Sequence, residues 1–82
     1  MELNTVTLGG RLKSKLPTEF NSQESLRLKL ELESITYTVF TAPTLVEYIN
    51  NNIEQGDFVI IKGCIKTNGV DNFIYAERIT HV

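Results

Sequence analysis

Between Leu26 and Glu33 the chain reads LRLKLELE, four leucines at even positions alternating with Arg27, Lys29, Glu31 and Glu33. A period of two sends one set of side chains to each face of a strand, whereas a helix would scatter the leucines around its axis. Leucine is a weak strand former, so pattern rather than propensity decides here. Such a strand needs a sheet with one face buried. ITYTVFT follows, with Ile35, Tyr37 and Val39 on one parity and Thr36, Thr38 and Phe40 on the other. The inward set switches from even to odd numbers, as expected if Glu33-Ser34 reverses the chain, although neither is a favoured hairpin residue.

The other segments complete an architecture. Asn4 to Leu12, NTVTLGGRL, is strand-like, with Val6, Leu8 and Leu12 on one parity and Gly9-Gly10 marking a bend or bulge. In APTLVEYINNNIEQGD, Thr44 and Glu47 have the spacing of a capping box, Leu45, Ile49 and Ile53 form a helical stripe, and Gly56 is the stop. FVIIKGCIK and NFIYAERITHV are two further strands joined by a turn at Thr67-Asn68-Gly69. Ile61, Ile65, Ile74 and Ala76 are expected on their inner face, with Phe73 and Tyr75 on the other. Three strands, one helix and two strands is the layout of an all-β, five-stranded Greek-key barrel, the OB-fold. With 82 residues the chain makes a single domain, 1–82.

Several function classes fall away. The chain has one cysteine and one histidine, so no internal disulfide, cysteine-cluster metal site or catalytic triad is expected, and no cofactor is implied. Gly9-Gly10 before Arg11 is too sparse for a phosphate cradle and is better explained by strand bending. No apolar run is long enough to cross a membrane, and MELNTVTLGG lacks the pattern of a secretory leader, so a reduced, cytoplasmic, non-enzymatic protein is expected. The net charge of −2 argues weakly against nucleic acid, but seven of the eight basic residues lie in or beside expected strands.

NTVTLGGRL also resembles the opening strand of the bacterial single-stranded DNA-binding protein family, at Asn4, Val6, Leu8, Gly10, Arg11 and Leu12. LVEYINNNIEQGDFVIIKGCIKT is similar to that family's helix, exit turn and next strand, at Gly56, Val59, Ile61, Gly63, Ile65 and Thr67, and YAERI resembles its last strand. The resemblance implies sequence-independent, single-stranded DNA binding in replication, recombination or repair, by a homodimer or homotetramer. Three departures qualify it. The family's long loop between its second and third strands is nearly absent. Thr36 and Ala42 stand near the family's stacking aromatics. The stretch ends at Thr80-His81-Val82 without the family's acidic tail. These features resemble the primosomal replication protein N, a short form, or an accessory protein of a phage or mobile element. They leave open a second role, as an accessory subunit that holds a polymerase, primase or helicase; RNA binding is a third option.

Binding an unpaired strand takes cations for its phosphates and flat side chains on which bases stack. The candidates are Arg11, Lys13, Arg27, Lys29, Lys62 and Lys66 for phosphate, and Phe40, Phe73 and Tyr75, which fall off the inner parity, for stacking. Each has a plainer reading: a strand phenylalanine also serves as core or interface, and a strand lysine as solvated surface. Tyr37, Tyr48 and Phe58 are assigned to core or interface, Phe20 to a loop from which it could either contact DNA or pack, and Cys64 to a partly buried filler. Glu31 and Glu33 would repel phosphate from their part of the second strand.

Overall fold

In the computed structural model, which describes residues 3–82, the leucine ladder forms the strand expected of it. It lies in β2 (Gln23–Leu32), between β1 (Val6–Phe20) and β3 (Ile35–Thr41). A 3-10 turn (Pro43–Leu45) leads into the helix α1 (Val46–Asn52), and β4 (Phe58–Thr67) and β5 (Asn72–His81) complete the chain. The strands close into a barrel in the order β1-β2-β3-β5-β4. All neighbours are antiparallel except β3 and β5, which meet in parallel along a short seam: Val39↔Ile74, Phe40↔Tyr75 and Thr41↔Ala76. Five strands closed in this way, with a single helix between the third and fourth, constitute the OB-fold.

Leu26, Leu28 and Leu30 are fully buried, as are Leu12, Val39, Val59 and Ile61 from the other strands. Val46, Ile49 and Ile53 close the barrel from the helix side, with Leu45 half-buried against them. Each fully buried aliphatic contributes about 1.5–3 kcal/mol. At one end of β2, Ser25 and Thr41 are buried but satisfied. The Ser25 hydroxyl donates to the Thr41 carbonyl at 2.7 Å, and Thr41 Oγ1 accepts the Leu26 N–H at 3.0 Å.

Both two-residue hairpins use non-glycine residues at positive φ: Asn21 and Ser22 at 52° and 64°, Glu33 and Ser34 at 48° and 70°. Positive φ at both central residues matches the right-handed twist of the flanking strands, so Glu33-Ser34 does make the tight reversal.

Elsewhere the structure departs from the expectations. The first strand does not end at Leu12 but continues through Pro17 to Phe20, so Phe20 is not in a loop. KSKLPTEF hides this because the register shifts between Leu12 and Ser14, making Lys13 a bulge that reverses parity. The capping box does not form: Pro43 starts the helical path two residues early, Thr44 falls inside that turn, and α1 has no side-chain cap. The helix ends at Asn52, before Gly56, which sits in the following turn at φ 94°. Ile35 and Ile65 are about half exposed because both strands run past the barrel's closed section. Tyr48 and Phe58 are exposed and Tyr37 is half-buried, so none of the three is a core residue. Among the described residues, no helix is long and apolar enough to cross a membrane.

Candidate nucleic-acid interface

Register fixes which outward residues become neighbours. Leu16 pairs with Arg27, Arg27 with Phe40, Phe40 with Tyr75, and Tyr75 with Cys64, making one row across all five strands. Strands about 4.8 Å apart place Arg27 about 14 Å from Cys64 along it. One step away, Lys66 pairs with Phe73.

The parity switch at Lys13 turns Leu16, Thr18 and Phe20 to this same outer side. Phe20 reaches across from the tip of the β1–β2 hairpin to three rings. Its centroid lies 5.9 Å from Phe40, 5.2 Å from Phe73 and 5.1 Å from Tyr75. Phe40 and Phe73 meet edge to face at 5.3 Å. Such pairs contribute about 0.5–1.5 kcal/mol each beyond burial, which suffices to hold the rings in place without a core around them. All four are half-buried rather than enclosed in the core. The Lys66 ammonium stands 4.1 Å from the centre of the Tyr75 ring. The cluster therefore offers aromatic surface flanked by Lys66 and Arg27.

Five of the nine candidate residues, Phe40, Phe73, Tyr75, Lys66 and Arg27, come together and four do not. Lys29 is one outward position beyond Arg27 and donates to Thr38 Oγ1. Lys62 lies four residues from Lys66 on the outward side of β4, opposite Arg78. Arg11 and Lys13 are elsewhere. Arg11 donates to the Gly56 carbonyl at 3.1 Å and lies 5.9 Å from the Phe58 ring, and Lys13 pairs with Glu31 at 3.8 Å. Arg11, Phe58, Ile35 and Tyr37 line an open cleft of about 530 Å³ on that flank, where Glu31 and Glu33 also stand.

Two residues of the outer face were not among the sequence candidates. Phe20 had a readable signal in the spacing of Leu16, Thr18 and Phe20 before the turn-forming Asn21-Ser22. Arg78 had none, because a second register shift, between Lys62 and Gly63, makes Glu77 an extra residue on β5. Lys15, also basic, has a structural duty: its ammonium donates to the carbonyls of Ile53 at 2.7 Å and Ile49 at 3.3 Å, at the C-terminal end of α1. Cys64 is half-buried beside Tyr75. Burial first, and the Glu77 carboxylate second, push its thiol above the usual value.

Among the described residues, no group of three or more His, Cys, Asp or Glu side chains is placed to hold a metal ion. No family model matches the chain. No curated protein matches it either. Solved structures do. The second single-stranded DNA-binding protein of Mycobacterium smegmatis superposes with a TM-score of 0.77 at 19% identity, over 98% of this chain and 87% of that one. The dimeric N-terminal domain of PriB from Thermoanaerobacter tencongensis gives 0.73 at 24% identity, over 96% of both chains. The Plasmodium falciparum single-stranded DNA-binding protein, solved in complex with single-stranded DNA, gives 0.76 at 13% identity, over 100% of this chain and 97% of that one. The barrel legible in the sequence is thus the OB-fold these proteins share.

Proposed function

We propose that this protein binds single-stranded DNA without catalysis and without sequence preference, in replication, recombination or repair. The observation that carries this reading is the cluster of Phe20, Phe40, Phe73 and Tyr75 on the outside of the sheet, with Lys66 and Arg27 at its margin. Every base has a π-face, so stacking on such a platform contributes about 1–3 kcal/mol per base whatever the sequence. The two cations supply phosphate contacts, which make binding salt-dependent. The likeness to single-stranded DNA-binding proteins, one of them solved on its ligand, supports the same reading. Assembly into a dimer or larger homo-oligomer belongs to this proposal, because a second copy lengthens the track; the PriB domain is dimeric.

The test is binding to labelled oligo-dT at rising salt, alongside duplex DNA and RNA of matched length. Tight binding to oligo-dT that weakens with salt is expected, with duplex bound less well. No binding at low salt overturns the reading. Light scattering decides the oligomer: a clean monomer at micromolar concentration excludes it.

A further inference from the structure

The ring cluster has cations at its edge, yet it does not account for Lys62 and Arg78. These two are direct cross-strand partners on β4 and β5. Like charges set opposite one another destabilise a sheet. The pairing follows from the bulge: in the register β5 keeps up to Ala76, Lys62 would face Glu77, and the extra residue puts Arg78 there instead. A bulge that exchanges an attractive pairing for a repulsive one re-aims a side chain at some stability cost, a pattern found next to functional sites. Among the described residues neither Lys62 nor Arg78 makes a salt bridge; on the other side of Lys62 stands only the small Thr7. With Asn4, Thr5, Gly63 and Glu77 they line a notch of about 240 Å³. Asn4 fixes one wall by a reciprocal pair of hydrogen bonds with the Ile65 backbone, both 2.8 Å.

Resting on the function proposed above, we propose that a bound single strand leaves the ring cluster along the outer face of β4 and β5 and seats a phosphate between Lys62 and Arg78. Four residues of β4 separate Lys66 from Lys62, about 13 Å at strand rise, so one extended strand can engage both places. Lys62 and Arg78 hold the phosphodiester, and its negative charge relieves their repulsion. Glu77, beside them, opposes the anion and limits the affinity of the notch.

The experiment compares oligo-dT of about four nucleotides, enough to cover the rings, with oligo-dT of about fifteen, within the range an OB-fold spans. For Arg78→Gln the longer oligonucleotide should bind roughly fivefold more weakly, with a salt slope shallower by about 0.7, the value of one single-strand phosphate contact. The shorter should bind as to the wild type. Glu77→Gln should tighten binding of the longer one alone. If the wild-type protein binds the longer oligonucleotide and Arg78→Gln changes neither affinity nor slope, the path is overturned while the function stands. Equal loss on both lengths also overturns it. If the wild-type protein binds neither length, the function itself fails and the path falls with it.

Discussion

The basic residues of β1 and those of β4 and β5 are alike in number and chemistry, and the fold uses them differently. Arg11, Lys13 and Lys15 each have a partner within the protein: the Gly56 carbonyl, the Glu31 carboxylate and the last carbonyls around α1. Among the described residues, Lys62, Lys66 and Arg78 have none of these. Lys66 rests on a ring, and Lys62 and Arg78 face each other. A count of charges treats the two sets as equal. What separates them is whether protein groups already satisfy the cation. On the function proposed above, a cation left open by the protein is the one free to meet an anion from outside.

The largest effect expected on this contrast comes from abolishing the scaffold of the second set. At Gly63 a Cβ would lie 1.8 Å from the Tyr75 carbonyl oxygen, which is backbone and has no room to retreat. Gly63→Ala should cost about 3 kcal/mol or more and be seen as a collapse of the thermal unfolding temperature. Normal stability would mean that β4 and β5 are not locked this closely. Next come the rings. Phe40→Ala or Tyr75→Ala should each cost about 1–3 kcal/mol of oligo-dT binding, measured by anisotropy, whereas Tyr48→Ala, on the helix, should cost none.

A smaller pair of effects separates the two kinds of cation directly. Lys15→Met should lower stability by about 1 kcal/mol through the lost contacts at the helix end and leave the salt slope of DNA binding unchanged. Arg27→Gln should do the reverse: unchanged unfolding, with a slope shallower by about 0.7. A crossed result would erase the distinction. The smallest effect concerns Cys64. Its raised thiol pKa means that alkylation should reach its half-maximal rate at a higher pH than for a free thiol. Glu77→Gln should move that profile down, since removing the carboxylate's charge favours the thiolate. Saturating oligo-dT should slow the alkylation, because Cys64 stands in the same row as Tyr75.

The alternation from Leu26 to Glu33 and the strand-helix-strand order made the barrel legible, because burial of one face imposes a period on the sequence. The outward position of Phe40, Phe73 and Tyr75 was legible for the same reason. The bulges were not. A single extra residue at Lys13 or Glu77 reverses which parity faces out; in KSKLPTEF only the spacing of Leu16, Thr18 and Phe20 hints at it, and nothing in YAERI does. The two register shifts are what bring Phe20 and Arg78 onto the outer face. At the helix start two devices compete, and the fixed φ of Pro43 prevails over the Thr44–Glu47 spacing. The division of cations was hidden as well, since Lys15 and Lys66 look alike until one is seen at a helix end and the other over a ring.

The parallel joint between β3 and β5 is only three residue pairs long, and Phe40 and Tyr75 stand on its two sides. A base lodged among the rings would therefore touch both edges of the barrel's one parallel joint. Ligand capture would then act as a clasp: each occupied site opposes opening of the joint, and resistance to unfolding rises with strand concentration by mass action. For a domain this small, such a guest would complete the wall that holds it.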